Sequence, residues 1–290
     1  MNLAGVTILY NPENSVYENI LSYISELDYL VLFDNSERQN KDLINKLKQL
    51  EKVEYISLNE NKGVSYALNI GAKKAIEKGF KYLLTMDQDN KFPINFLKDM
   101  KDKVKSSKIE NVGIYAPVQK PNTYQSEKEL KEYYHISDDE LQEIELVMTS
   151  ACIVDLDILK KIGFYSEDLF IDFIDIEICL RLKLNNYKVI RFNKLILSHN
   201  LGKIVKYNLF FKKGFFNLHS PIRLYYIFRD GLHLSNKYKK INFYKNYAKP
   251  VFITKLIHIL VIREQVFKSL KYIIKALLDY KKGKIGKIEE

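Results

Sequence analysis

The sequence has only two cysteines, Cys152 and Cys179, far apart in the chain. Such a pair forms neither a disulfide framework nor a metal-type spacing, so it fits a protein of the reducing cytoplasm. The N-terminus lacks a basic segment followed by a long apolar run, and we therefore expect no signal peptide. No apolar run reaches the roughly 18 to 20 residues of a membrane span. We expect a cytoplasmic chain that is either soluble or peripheral on the inner face of the cell membrane.

Two nucleotide-binding motifs are also missing. No GxGxxG follows the first strand-like segment and no GxxxxGK[ST] occurs, which argues against a dinucleotide-binding Rossmann domain and a P-loop. No internal repeat or low-complexity linker is present. With 290 residues and 47% hydrophobic residues, the chain can bury one large core and carry an appended piece.

Charge is distributed unevenly along the chain. Residues 201–290 hold 20 Lys plus Arg and 5 Asp plus Glu, so they contribute +15 to a total net charge of +10. Residues 1–200 are therefore slightly acidic. A basic end of this kind indicates an anionic partner, which is nucleic acid, anionic lipid or a phosphorylated substrate.

The first 110 residues alternate between strand-like and helix-like segments. Apolar runs at 5–10, 29–36, 53–58 and 81–86 read as strands, and the segments between them, at 15–27, 41–50 and 64–79, have helical periodicity. This order predicts a parallel sheet with helices on both faces. Ligands of such sheets bind beyond the carboxyl ends of the strands.

Polar residues follow each of the four predicted strands. They are Tyr10 and Asn11, then Asp34 and Asn35, then Asn59 to Gly63, and finally Asp87 to Asn90. Each set alone reads as ordinary turn formers. Four sets at one edge of a parallel sheet predict a common crevice instead.

The last set contains two aspartates separated by one residue, Asp87 and Asp89. In an extended segment such side chains point the same way, so both could approach one divalent ion. Hard carboxylates with few fixed protein ligands suit Mg²⁺ or Mn²⁺ shared with a diphosphate. An isolated D-x-D is otherwise a common surface feature.

Taken in order, the segments "VTILYN", "VLFDNS", "NKGVSYALNIGAKKA" and "LLTMDQDN" resemble the nucleotide-sugar-binding half of an inverting family 2 glycosyltransferase. The segments "GFYSEDLFIDFIDIEICLRLKLNNYKVI", "SHNLG" and "SPIRLYYIFRD" extend the resemblance to about residue 235, and it is strongest to bacterial rhamnosyltransferases. It implies an α/β fold of the glycosyltransferase-A type, which is a Rossmann-like, mostly parallel sheet flanked by helices, with a C-terminal helical extension. We expect a catalytic and acceptor domain at 1–202 and a basic, mainly helical region at 203–290.

The resemblance also implies roles for individual residues. Donor-binding roles fall on Tyr10, Asn11, Asp34, Asn61, Lys62, Gly63, Asp87, Arg223 and Arg229. Asp89 would bind the metal most directly, and His199 would complete the metal or diphosphate site. For the histidine the alternative is a structural residue, and for the two arginines a surface or interface position.

Asp175 is the residue that the resemblance implies as general base. The family's Glu-Asp pair is matched by Ile174 and Asp175, so Asp172 and Glu177 remain alternatives. Asp175 would lie in the first turn of a helix at 175–184, where the helix dipole favours a carboxylate, and this is also a purely structural explanation. One positioned base is sufficient, because a diphosphate leaving group needs no acid from the protein when a cation neutralises it.

Two further segments carry predictions. Residues 249–287 read as one long basic amphipathic helix with Lys268, Lys271 and Lys275 on one side. It would bind either an anionic inner leaflet, or its own domain or a second subunit. Residues 113–148 lack clear periodicity and predict an excursion from the sheet, with a helix starting near Ser137.

The sequence thus predicts a metal-dependent, inverting glycosyltransferase. The implied donor is dTDP-β-L-rhamnose, and the implied acceptor is a hydroxyl of a lipid-linked or glycan precursor of a bacterial cell-surface polysaccharide. The alternative donor is a UDP-hexose. A nucleic-acid-binding protein fits less well, because acidic strand ends would repel a phosphate backbone. Asp89 and Asp175 argue against a non-catalytic scaffold.

Overall fold

All four predicted N-terminal strands form in a computed structural model of the chain, which describes residues 1–121, 127–199, 204–209, 212–217, 219–262 and 265–289. They are β1 Leu3–Leu9, β2 Tyr29–Asp34, β3 Val53–Ser57 and β4 Tyr82–Asp87. β1 and β2 are almost entirely buried, which explains why they read as continuous apolar runs rather than alternating ones.

Helices connect these strands where helical periodicity predicted them. They are α1 Ser15–Ile24, α2 Lys41–Lys48 and α3 Val64–Glu77. α1 buries Val16, Ile20 and Tyr23, which recur at helical spacing on one face. Just after α3 the chain reaches Gly79 at φ +80, a left-handed conformation that glycine adopts without a steric penalty.

Four more strands complete a mixed, mostly parallel sheet. They are β5 Val112–Pro121, β6 Leu141–Ile144, β7 Cys152–Asp155 and β8 Lys188–His199. The strand order is β3-β2-β1-β4-β7-β5-β8-β6. β1 to β4 are mutually parallel, β5 and β8 are parallel, and β7 and β6 run antiparallel to their neighbours.

The remaining elements in the described ranges are helices and one hairpin. The α-helices are α4 Phe96–Ser106, α5 Glu127–Tyr134, α6 Leu156–Ile162, α7 Ile174–Leu184, α8 Pro221–Lys237, α9 Lys249–Ile262 and α10 Val266–Lys281, and a 3₁₀ helix at Lys239–Ile241 and a π-helix at Tyr244–Ala248 lie between α8 and α9. The antiparallel hairpin pairs β9 Ile204–Leu209 with β10 Lys212–Asn217. The α/β fold with a C-terminal helical extension is therefore confirmed.

The expectation of an excursion over residues 113–148 is wrong for two segments. β5 lies inside the sheet, and its Pro117 sits at a register shift, where a proline can be accommodated without breaking the ladder. No helix starts at Ser137. The chain forms β6 instead, a short edge strand beside β8, because Leu141 and Ile144 are partly buried there.

The prediction of a single long C-terminal helix is also wrong. The segment forms α9 and α10, and Gln265 before α10 has φ 51. A non-glycine residue in the left-handed region does not continue a right-handed helix, so the two helices are separate. Within the described ranges, no helix is both long and apolar enough to cross a membrane.

The chain divides into two compact units. Unit 1 comprises Met1–Ser166 and Ile178–Asn200, and unit 2 comprises Glu167–Glu177 and Leu201–Glu290. Unit 1 contains the eight-stranded sheet and its hydrophobic core. Unit 2 contains the hairpin, α8, α9 and α10, together with the beginning of α7.

Candidate active site

In unit 1, one glutamine side chain joins the ends of β1 and β4. Gln88 Oε1 accepts a hydrogen bond from the backbone N–H of Tyr10 at 2.9 Å, and Gln88 Nε2 donates to the Tyr10 carbonyl at 3.1 Å. The Gln88 carbonyl in turn accepts a bond from Asn19 Nδ2 at 2.9 Å. Gln88 is the residue between the two predicted acidic ligands, so these bonds hold the loop that carries both.

The ends of β1 and β2 are joined through Ser36. The Asn11 N–H donates to Ser36 Oγ at 2.7 Å. Asp34, which is fully buried, accepts the Ser36 N–H on Oδ1 at 2.9 Å and the Tyr55 hydroxyl on Oδ2 at 2.7 Å. Burial, and then this carboxylate, raise the pKa of the Tyr55 phenol. Both carboxylate oxygens of Asp34 thus accept hydrogen bonds from within the protein. The contact of Asp34 with a nucleobase or ribose stays a prediction.

Asn35 connects the end of β2 to the turn before α3. Its Oδ1 accepts the Lys62 N–H at 3.1 Å, and its Nδ2 donates to the Gly63 carbonyl at 3.1 Å. The Gly63 N–H donates to Asn61 Oδ1 at 2.9 Å. Gly63 has φ 88 and ψ 170, a conformation that residues with a side chain rarely adopt. The three predicted donor residues of this turn are therefore held by one small network.

Among the predicted donor residues at this edge of the sheet, Tyr10, Asn11, Lys62 and Asp87 are exposed to solvent. The Tyr10 ring is 47% exposed. Lys62 is exposed, and its Nζ lies 2.6 Å from Glu60 Oε2, a hydrogen bond that raises the pKa of the lysine. Tyr10 and Lys62 could both contact a ligand that binds at this edge of the sheet.

The loop after β4 corrects one detail of the sequence prediction. β4 ends at Asp87, and Gln88 and Asp89 form a turn, so the two aspartates do not share an extended segment. Ser150 Oγ accepts the Asp87 N–H at 2.9 Å and also a bond from Asn90 Nδ2 at 2.6 Å. These bonds, with those of Gln88, turn the chain at this point.

The carboxylates of Asp87 and Asp89 are both exposed. Their hard oxygens suit Mg²⁺ or Mn²⁺, and an ion shared with a diphosphate takes few ligands from the protein. Over the part of the chain that the structure describes, no group of three or more His, Cys, Asp or Glu residues is arranged to hold a metal alone. His199 is the last residue of β8, and its side chain lies outside the described residues. The donor set fits a shared cation, and the site itself stays a prediction.

In unit 2, the three carboxylates considered as general base have different surroundings. Asp172 forms an ion pair with Arg223, with Nε at 3.2 Å from both oxygens and Nη2 at 3.0 Å from Oδ1. Glu177 is buried, and its Oε1 accepts bonds from Lys237 Nζ at 3.0 Å and the Tyr238 hydroxyl at 2.7 Å. Asp172 and Glu177 are thus each held by a cation.

Asp175 is half-buried in the first turn of α7, where the sequence placed it. A helix N-terminus is a favourable position for a carboxylate, the type of group that can act as a general base. The role of Asp175 as base stays a prediction.

The two arginines predicted to bind phosphate differ in accessibility. The Arg223 side chain is 40% exposed and forms an ion pair with Asp172. Arg229 is fully buried: its Nε donates to Asp230 at 2.7 Å, Nη1 to the Tyr225 hydroxyl at 3.1 Å and Nη2 to the Gly286 carbonyl at 2.6 Å. These bonds give Arg229 a structural role within unit 2, and its placement lends no support to a diphosphate contact.

Basic side chains that the sequence reading did not single out accompany Arg223 and Asp172. Burial lowers the pKa of His219 to about 3, and the charges of Lys255 and Arg223 act in the same direction. Burial also lowers the pKa of Lys255 to about 8, against the effect of Asp172, and that of His258 to about 4. The lowered pKa values of these three groups come mainly from burial, and no local sequence pattern predicts that burial.

Sequence reasoning also missed Gln88, Ser36 and Ser150 as residues that hold the strand ends. Gln88 and Ser36 lie next to motif residues, and that adjacency was an available signal. Ser150 lies 63 positions from Asp87, and only the pairing of β4 with β7 brings it near.

Parallel strands with polar, hydrogen-bonded carboxyl ends define a ligand-binding α/β domain, because ligands of such sheets bind beyond the carboxyl ends of the strands. The model of the family described as "Glycosyl transferase family 2" matches residues 6–163, and the chain belongs to this family. It is therefore a glycosyltransferase.

The chain is 30% identical over 253 residues to the dTDP-rhamnosyl transferase RfbF of Shigella flexneri. The aligned region covers 81% of this chain and 80% of the relative. It is a rhamnosyltransferase-like member of the family. Among solved structures, residues 1–349 of S. aureus TarS in complex with UDP-GlcNAc have a TM-score of 0.59 at 14% identity, covering 98% of this chain and 82% of that one. GalNAc-T7 with UDP, GalNAc and Mn²⁺ has a TM-score of 0.56 at 14% identity, covering 69% of this chain and 44% of that one. These likenesses show the fold.

Proposed function

We propose that this chain transfers L-rhamnose from dTDP-β-L-rhamnose, with inversion, to a hydroxyl of a bacterial cell-surface polysaccharide precursor. The observation that carries the proposal is the linked set of strand ends in unit 1, with Asp87 and Asp89 exposed on it. The choice of donor rests on the similarity to the Shigella flexneri rhamnosyl transferase.

Donor binding would involve the turn at Asn61 to Gly63 and the side chains of Tyr10, Asn11 and Asp34 on the nucleoside. Asp87 would lie toward the ribose and the sugar. Arg223, which is partly exposed, would contact the diphosphate in exchange for some of its bonding to Asp172. This division places donor binding mainly within 1–202 and leaves 203–290 for the acceptor or a membrane.

A divalent cation, Mg²⁺ or Mn²⁺, would be held by Asp89 with His199 as a further ligand. When bound it would neutralise the negative charge of the diphosphate leaving group. Two exposed aspartates support this assignment, as does the Mn²⁺ of the structurally similar GalNAc-T7.

Asp175 would act as general base. It would accept the proton of the acceptor hydroxyl while the hydroxyl oxygen attacks the anomeric carbon from the face opposite the departing nucleotide. Attack from that face inverts the anomeric configuration.

The alternative donor is a UDP-hexose, which the similarity to TarS bound to UDP-GlcNAc favours. The acceptor we propose is a lipid-linked oligosaccharide at the inner leaflet, which would make the protein peripheral to the membrane.

A panel of dTDP-, UDP- and GDP-sugars, each with and without Mg²⁺ or Mn²⁺, tests the function by thermal shift. We expect the largest rise in Tm with dTDP-rhamnose plus a cation. A larger rise with a UDP-hexose would replace the donor, and no rise with any of these ligands would refute the proposal.

A further inference from the structure

Helix α9 exposes an apolar stripe. Ile253, Leu256, Ile257 and Leu260 recur at i, i+3, i+4 and i+7 and are all exposed, Leu260 by 69%. The same helix buries Phe252, His258 and Ile259, which lie on its other side. One face of α9 therefore packs within unit 2, and the face opposite is apolar and open.

Helix α10 repeats this arrangement. Its buried residues are Ser269, Ile273, Ala276 and Asp279, and its exposed large apolar residues are Phe267, Leu270, Ile274, Leu277 and Leu278. At about 100° per residue, these two groups point in nearly opposite directions. Phe267 is 90% exposed, so almost the whole side chain belongs to this outward apolar group.

Among the described residues of α9 and α10, every exposed charged side chain is a lysine. The sequence of α9 contains no carboxylate, and that of α10 contains only Asp279. Asp279 is buried and accepts bonds from the Tyr225 hydroxyl at 2.9 Å and Lys275 Nζ at 3.2 Å. Lys268 and Lys271 are exposed along one flank of the apolar stripe of α10. The outward face of α10 therefore has exposed lysines beside its apolar side chains.

We propose that the outward faces of α9 and α10, which we call the α9–α10 surface, bind an anionic lipid bilayer. The apolar side chains enter the boundary between headgroups and acyl chains, and the lysines contact the anionic headgroups. The proposal deepens the proposed function, since a lipid-linked acceptor is found at such a surface. Beyond the lysines that the sequence indicated over 249–287, it assigns a part in binding to the exposed apolar side chains of α9 and to Phe267.

Charge favours a bilayer over a second copy of the chain. In a symmetric dimer, the α9–α10 surface of one copy would contact the same surface of the other copy. Each copy presents lysines there, and neither helix offers an exposed carboxylate to pair with them. An anionic leaflet supplies the complementary charge, whereas a second copy does not.

Vesicle flotation of the full chain tests the proposal, using phosphatidylcholine alone and phosphatidylcholine with about a third phosphatidylglycerol. We expect binding only to the anionic vesicles. The double variant Leu260→Ser/Phe267→Ser should bind roughly tenfold or more weakly, because two apolar side chains no longer leave water. Lys268→Gln/Lys271→Gln should lose a similar amount, since each lysine adds roughly fivefold at an anionic surface.

Two matched variants serve as controls. Ile94→Ser removes an apolar side chain of unit 1 that is 93% exposed, and Lys160→Gln/Lys161→Gln removes two exposed lysines of α6. Both should bind vesicles as the unchanged protein does. Equal binding to neutral vesicles, or unchanged binding by both α9–α10 variants, would overturn the proposal. The proposal would also be overturned if the protein bound no vesicles and instead formed a dimer in sedimentation that the α9–α10 variants dissociate. Flotation needs no sugar nucleotide, so its failure leaves the transfer reaction untouched.

Discussion

The side-chain amide of Gln88 holds the backbone of Tyr10 at two points, through its N–H at 2.9 Å and its carbonyl at 3.1 Å. Tyr10 follows β1 and Gln88 follows β4, two parallel neighbours in the sheet. A single residue inside the D-x-D motif thus fixes the loop carrying Asp87 and Asp89 against the neighbouring strand end. Gln88, the residue between the two acids of the motif, therefore has a structural role.

Replacing Gln88 by Ala removes both bonds. We expect a loss of about 1 to 2 kcal/mol in the free energy of unfolding, because each bond contributes about 1 kcal/mol. We also expect a higher KM for the donor, because the acidic loop is less well placed. Urea denaturation and steady-state kinetics measure the two effects. Gln49→Ala, at an exposed helix end, is the control, and an unchanged KM in Gln88→Ala would contradict the positioning role.

Asp89→Asn tests the metal assignment without relying on turnover. Because Asp89 is exposed, the fold should survive, while the gain in dTDP affinity on adding Mn²⁺ should largely disappear in calorimetric titrations. Asp87→Asn should weaken binding of the sugar nucleotide with and without the metal. Asp157→Asn in α6 is a matched exposed control. A full Mn²⁺ effect in Asp89→Asn would remove Asp89 as a ligand.

Asp175→Asn should lower kcat by about 10²-fold to 10⁴-fold, the usual effect of losing a general base, with donor affinity unchanged. Asp172→Asn and Glu177→Gln should act mainly on stability, because each weakens the pairing of a cation, Arg223 or Lys237. Kinetics and thermal denaturation of the three variants separate these roles. If Asp172→Asn or Glu177→Gln reduced kcat as strongly while remaining folded, the base would have to be reassigned.

Stability should fall in mild acid because of His219. Its pKa is lowered to about 3 by burial, helped by the charges of Lys255, Arg223 and His258, against 6.5 in an unfolded chain. Between these values the unfolded state binds more protons than the folded state, so stability is present above about pH 6.5 and is lost as pH falls toward 3.

His219→Gln should therefore reduce the loss of stability between pH 7 and pH 5 by about 1 kcal/mol, allowing for partial exposure of the ring. Denaturant midpoints at the two pH values provide the measurement. His135→Gln in unit 1 is the control. An identical loss in the protein and in His219→Gln would show that this histidine is not the sensitive group.

Arg229→Met should cost about 3 to 5 kcal/mol, because it leaves Asp230 buried without its cation. The double variant Arg229→Met/Asp230→Leu should recover much of the loss, since an apolar pair can replace a buried ion pair. Denaturation curves of both variants decide this. Normal stability of Arg229→Met together with a raised donor KM would support the diphosphate role that the sequence implied.

Much of the fold was predictable because its signals are local. Buried parallel strands produce continuous apolar runs, and glycines such as Gly63 and Gly79 mark backbone that other residues avoid. β5 escaped prediction because its prolines imitate turn formers, although Pro117 sits at a register shift inside the sheet. The break at Gln265 escaped because nothing in its residue type demands a left-handed conformation.

The sequence by itself determined the family, the order of the N-terminal strands and helices and the identity of the polar strand ends, since all of these depend on residue type and spacing. Only the tertiary structure showed that Gln88 and Ser150 hold the acidic loop, that Arg229 is buried, and that α9 and α10 leave apolar faces open. Exposure and long-range hydrogen bonding depend on which distant segments pack together. That information is spread over the whole chain and is absent from any one motif.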